Sequence, residues 1–181
     1  MMAQTQPTPP TRRDRGATRL VPVAVDAVVD APSMLVALHA RVERQFALYQ
    51  QASGDQRQQY QLLRAIGAAL ATHAAMEDEL LYPALGAHGG GDAAEIDRQL
   101  EQDHLLEVLL VELGAMIPAE RRFGAKVGVL MQVFRQHARD SEALLLPGLR
   151  QRLGPGERER LSQRLLQRLG ELEGRPWRRG W

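Results

Sequence analysis

At 181 residues, 44% of them hydrophobic and with a formal net charge of +1, the chain has the size and apolar fraction of one globular domain with tails. It contains no cysteine, which excludes disulfides, thiolate metal sites and cysteine nucleophiles, so any metal must be held by nitrogen and oxygen. Aromatics make up only 4% of a menu rich in Ala, Leu, Arg, Gln and Glu, a composition that favours helices over sheets.

Residues 1–29 read as a disordered leader, because Pro and polar residues cannot bury enough apolar surface to offset ordering entropy. Its one apolar stretch, Leu20 to Val29, is interrupted by Pro22 and Asp26. That is too short and broken for a signal segment or a membrane span, and the expectation is a cytoplasmic protein with no membrane partner. Charge is divided along the chain. Residues 31–149 carry ten Lys/Arg against fifteen Asp/Glu and residues 150–181 nine against four, an asymmetry better explained by solvated helical faces than by a nucleic-acid partner.

A bundle domain is expected over residues 30–153. Asp30 or Ser33 can cap a first helix beginning near Pro32 and running to about Gln51, with Leu35, Val36, His39, Val42 and Phe46 on one stripe. Ser53, Gly54 and Asp55 form a turn. A second helix follows from Asp55 to about Leu85, with Leu62, Leu63, Ile66, Leu70, His73, Glu77, Leu80 and Leu81 inward. His88 and three glycines make a loop, where His88 reads as a solvated residue. Asp92 with Glu95 is a capping box opening a third helix through Ile96, Leu100, His104, Val108 and Val111 to about Met116.

Pro118 suits the first turn of a fourth helix carrying Val127, Leu130, Val133, Phe134, His137, Leu144 and Leu145. Leu153 to Gly156 is a break, and residues 154–181 hold a fifth amphipathic helix with Leu161, Leu165, Leu166, Leu169 and Leu172, then a basic tail without periodicity. Its single apolar stripe needs a partner, either the bundle itself or a second subunit in a homodimer. Four long helices, each about 35–40 Å at 1.5 Å per residue and joined by short loops, describe an all-α, antiparallel, up-down-up-down four-helix bundle.

The chain also repeats. His73 to Leu85 reads HAAMEDELLYPAL and His137 to Leu149 reads HARDSEALLLPGL, with His39 lying 34 residues before the first histidine and His104 33 before the second. Two similar helical hairpins therefore give each helix one histidine, four of the five in the chain. A lone histidine on an apolar stripe is more often a core residue than a ligand. Four of them together with carboxylates would be costly to bury, and a shared metal is the simplest group that satisfies them all.

Glu77, four residues after His73, can reach the same point in the core. In the second hairpin that place is Ser141. Glu142, at five residues, can share a metal with His137 only if the helix widens into a π-type turn; Asp140 is the substitute if the helix stays regular. Together the early His39, the HAAMEDELLYP segment, the Asp103–His104 pair and the HARDSEALLLP segment resemble a hemerythrin-like domain, the HHE cation-binding family, over roughly residues 32–150.

The resemblance implies an oxo- or hydroxo-bridged di-iron centre held by His39, His73, Glu77, His104, His137 and Glu142, with Glu77 and Glu142 as bridges. It further implies a small diatomic ligand or peroxide as partner, in binding, reaction or the sensing of redox state or iron. Oxygen-carrying members have a second histidine one turn from the one in the third helix, where this chain has Leu100 and Val108. Glu43 or Glu107 could supply oxygen in its place. A four-helix interaction module with a degenerate metal site is the alternative, suggested by Ser141 and Val108.

Overall fold

A computed structural model of the chain describes residues 30–88 and 93–173. The leader, the capping position Asp92 and the tail after Glu173 lie outside the described residues, all of whose regular structure is helical. Helix α1 (Ala31–Gln51) starts where expected: Asp30 accepts a hydrogen bond from the backbone N–H of Ser33 at 3.0 Å, and Pro32 lies in the first turn. Gly54, at φ 94°, turns the chain, and Asp55 caps α2 (Gln56–Met76) through the N–H of Gln58. A π-helical turn, Glu77–Leu81, leads from α2 into the short α3 (Tyr82–Gly86).

Helix α4 (Ala93–Gly114) is the third long rod, and α5 (Phe123–Asp140) the fourth. Pro118 does not open α5. It sits in a run of turns, with the Ile117 N–H donating to the Glu120 carboxylate at 2.8 Å, and the helix begins five residues later. A second π-helical turn, Ser141–Leu145, passes into α6 (Leu146–Arg152), and α7 (Pro155–Glu173) ends the described chain.

The two π turns have one cause. Pro83 and Pro147 lack the N–H that would bond the carbonyls of Glu79 and Ala143, and their rings crowd the preceding turn. Widening the helix just before each proline absorbs the defect: the Tyr82 N–H bonds Glu77 O and the Leu146 N–H bonds Ser141 O, each five residues back.

α1 packs along α2, and α4 along α5, as the two hairpins. The apolar interior falls into two clusters. One, from Val42, Phe46, Ile66, Leu110, Leu113, Leu130 and Phe134 among others, fills the half nearer the α1–α2 turn. The other gathers Leu35, Leu38, Met76, Leu81, Leu85, Leu145 and Leu149 with Leu161, Leu165 and Leu169 of α7. The fifth amphipathic helix thus finds its partner in its own chain, against α1 and α2, where Glu173 also receives a bond from the buried Arg41.

Helix α4 differs most from its sequence reading. Leu106, Leu109, Leu110 and Leu113 face the core, while Leu100, Val108 and Val111 are exposed. The sequence of α4 offers two apolar stripes, and packing against α5 selects the second. Val36 and Leu144 are likewise exposed, Leu144 because it lies inside a π turn that rotates it outward. Burial of Leu165 is complete and that of Leu166 is not. Leu165→Ala should therefore destabilise the protein by ~3 kcal/mol in a urea melt, against under about 0.5 kcal/mol for Leu166→Ala.

Candidate metal centre

Between the two apolar clusters lies a polar layer. His39 comes from α1, His73 from the last turn of α2, Glu77 from the first π turn and His137 from the last turn of α5. Each has one ligand atom within 4.8 Å of those of the other three, and all four side chains are buried, Glu77 completely. Phe134 closes the layer on the side of the first cluster, stacked on the His137 ring and edge-on to the rings of His39 and His73.

Glu77 is the hub. Its Oε2 lies 3.0 Å from His137 Nε2 and 3.2 Å from His73 Nε2, and it accepts a hydrogen bond from the Tyr82 hydroxyl at 2.8 Å. Its Oε1 accepts from Ser141 Oγ at 3.4 Å and faces His39 Nε2 at 3.9 Å. Burial alone would raise the Glu77 carboxyl, yet His73 and His137 hold it well below the usual carboxylate range. His39 moves the opposite way: burial, helped by the neighbouring imidazoles, lowers it to about 3 and keeps the ring neutral. For His137, burial works downward but is overcome by Glu77 and Asp103, and the ring is raised above its ordinary value.

Two imidazole nitrogens, His73 Nε2 and His137 Nε2, stand 2.8 Å apart, where they can share only one proton. His39 Nε2 is buried in the same layer without any hydrogen-bond partner. Without an ion the Glu77 charge is balanced by a proton on His137, two imidazole nitrogens crowd that one proton and His39 Nε2 stays orphaned; a cation in place of the proton satisfies the carboxylate and all three nitrogens. Ligands about 2.0–2.2 Å from one ion stand roughly 3–4 Å apart, close to the spacing here. Nitrogen and oxygen donors of this kind suit Zn, Cu, Fe and Ni, so the donor set fits a transition-metal ion without choosing among them.

Two expected residues are not brought into the cluster. His104 is exposed on the outer face of α4, and Asp103, one residue earlier, points inward: Oδ2 accepts from Tyr82 at 3.2 Å and Oδ1 is 3.4 Å from His137 Nδ1, an ion-pair distance without hydrogen-bond geometry. Burial raises Asp103 to about 6.

Glu142 does not turn fully inward despite the widened turn beside it. It stays 41% exposed and takes the Nδ1 side of His39 at 2.7 Å, so that His39 presents Nε2 to the centre. Asp140 lies further out, accepting from Gln136 and Gln102, and Glu43 is occupied by Arg135. His88, as expected, is a loop residue; it bonds Ala84 and Glu157.

The repeat itself held the clue to Asp103. His39 precedes His73 by 73 − 39 = 34 residues, and it is Asp103, not His104, that precedes His137 by 137 − 103 = 34. Tyr82 had no such signal, since its counterpart in the second hairpin is Leu146.

Residues 30–149 match the Hemerythrin HHE cation binding domain. The chain belongs to this family. It is similar in fold to the crystal structure of a Hemerythrin HHE cation binding domain-containing protein from Mycobacterium kansasii, with a TM-score of 0.70 and 19% identity over 81% of this chain and 88% of that one. It is also 30% identical, over 141 residues, to a DNA nickase from Nostoc sp.; the match takes in 73% of this chain and 39% of the relative's length. Hemerythrin HHE membership and the buried His/Glu cluster agree on cation binding. No helix among the described residues is long and apolar enough to cross a membrane.

Two outcomes follow for cation binding. A divalent cation must displace the proton that His137 holds, while Glu77 stays ionised and His39 neutral. Affinity should therefore rise with pH past the ordinary histidine range, as His137 with its raised pKa gives up its proton, and then level off; competition titrations over a pH series, with calorimetry in buffers of different ionisation enthalpy to count the released proton, measure it. Glu142→Ala should weaken the cation by about 10- to 100-fold, read from the same titration, by freeing the His39 ring from the carboxylate that orients it.

Proposed function

We propose that the chain is a non-haem iron protein whose buried centre binds or reacts with O₂, peroxide or nitric oxide, or reports redox state or iron supply through the bound ion. The observation that carries the reading is the convergence of His39, His73, Glu77 and His137, with the His39 Nε2 left unpartnered in a buried polar layer. These four are the ligands proposed for one iron. A di-iron form, as the family resemblance implies, would have to draw its further donors from Asp103 and Glu142, the nearest carboxylates behind the imidazoles.

When bound, iron supplies a Lewis-acidic, redox-active position for a small oxidant or diatomic. This chain's residues do the rest. Tyr82 and Ser141 hold the Glu77 carboxylate by hydrogen bonds, and Glu142 fixes the His39 ring. Phe134 packs on the three imidazoles and the donors themselves are buried, which favours a diatomic or peroxide over a bulky organic substrate at the ion. The reading assigns no nucleic-acid or membrane partner and places the protein in the cytoplasm.

The competing reading is a bundle used as an interaction module with a decayed metal site, for which Ser141 in the place repeating Glu77 is the observation. Iron content separates the two. The wild-type chain, reconstituted with Fe(II) without air and desalted, should retain one to two irons and change its visible absorption on exposure to O₂, peroxide or NO. Glu77→Ala should retain at least about tenfold less iron and lose the rise in melting temperature that iron confers. His88→Ala should match wild type in both. Equal iron and equal melting temperatures for Glu77→Ala and wild type would leave the interaction module standing.

A further inference from the structure

The polar layer is approached from two sides, and the two clefts have opposite character. Between α1 and α5 lies a cleft of about 490 Å³ that reaches His39 and is bordered by Arg44, Arg135 and Arg139 together with Glu43 and Glu142. Between α2 and α4 lies one of about 430 Å³ that reaches His73 and is bordered by four carboxylates, Asp78, Glu79, Asp103 and Glu107, with His104 and no lysine or arginine. Besides Leu70 and His73, α2 presents Ala71, Ala74 and Ala75 to the seam, side chains too short to fill the gap.

The acidic residues are graded in depth. Asp78, His104 and Glu107 are exposed at the mouth; Asp103 is nine-tenths buried and touches both Tyr82 and His137. The ring of His73 forms the inner wall. It is 1% exposed, its Nε2 is turned to the centre, and its Nδ1 is buried without a hydrogen-bond partner. A run of like charges in a low-dielectric cleft focuses potential and raises the local concentration of counter-ions. Glu79 is held from outside by Arg168, and Asp103 accepts from Tyr82 and lies beside His137, which leaves Asp78 and Glu107 as the carboxylates at the mouth with no lysine or arginine lining the cleft. Such an arrangement attracts cations to the mouth, most strongly at low salt.

We propose that the α2–α4 cleft is the port through which a divalent cation reaches the buried centre, with Asp78, His104 and Glu107 capturing the ion at the mouth and Asp103 passing it inward toward Glu77. This gives His104, stranded outside the four-donor cluster, a role as a transient ligand. Charge favours this cleft over the α1–α5 one, where three arginines outnumber the two carboxylates and Arg135 already holds Glu43. The inference rests on the reading of the buried cluster as a cation site, and its test is a rate, which is separable from whether the cluster binds.

The probe is Co(II), whose visible bands appear on binding, mixed with the apo form of the 181-residue chain in a stopped-flow instrument at low and at 0.5 M salt. Asp78→Asn/His104→Ala/Glu107→Gln, all at exposed positions, should load about tenfold more slowly than wild type at low salt. Its rate should lose most of the salt dependence seen in wild type, while the final spectrum and stoichiometry stay the same. Glu107→Gln alone should slow loading about threefold. Glu43→Gln, a carboxylate removed from the opposite cleft, should load at the wild-type rate. Unchanged rates in the triple and single variants would overturn the port and leave the cation centre intact. Loss of the final Co(II) spectrum in the triple variant would overturn it too, by making these residues part of the centre. Failure of wild type to bind Co(II) would overturn both readings.

Discussion

Everything in this fold is arranged around one fully buried carboxylate. Glu77 carries a negative charge in the middle of the bundle, where an ion without compensation costs several kcal/mol. Three imidazoles, a phenol and a serine hydroxyl converge on it from α1, α2, α3, α5 and the second π turn. That polar layer divides the apolar interior in two, and α7 is needed because the second half would otherwise be open: Leu161, Leu165 and Leu169 close it.

The two hairpins are alike in backbone and unlike in chemistry. Both carry a histidine, a proline ten residues later and a π turn between them, so the prolines impose the same widening twice. In the first hairpin the widened turn begins with Glu77 and in the second with Ser141; on the preceding helix, 34 residues before His73 and His137, His39 is matched by Asp103. Nitrogen ligands and the ionised oxygen are thereby concentrated on the α1–α2 side, with the second hairpin giving His137 and carboxylates that support rings from behind. A site built this way is lopsided, and its two flanking clefts inherit the lopsidedness as opposite charge.

This asymmetry connects the centre to its surroundings. Glu142 occupies the outer nitrogen of His39 at the foot of the arginine-bordered cleft, and Asp103 stands behind His137 at the foot of the acidic one. Each carboxylate therefore belongs at once to the ring it supports and to the cleft it lines. Changes in either cleft are expected to reach the centre through one side chain, a far shorter path than through the packed core.

The sequence by itself determined the helical class, the pairing into two hairpins and the inward placement of His39, His73, Glu77 and His137, because period-3.6 apolar stripes and a thirteen-residue repeat are local signals that packing did not override. It also raised a π turn near His137, as the condition for Glu142, five residues on, to reach the same point, and left a regular helix with Asp140 as the alternative. What only the tertiary structure decided was rotation. Helix α4 has apolar residues on two faces, and one face or the other is chosen by the partners it meets; a turn of one residue, about 100°, exchanges His104 for Asp103. Glu142 was likewise set by distance across the bundle: His39 Nδ1, 103 positions away in sequence, reaches it at 2.7 Å and holds it at the rim, a contact that no spacing along the chain encodes.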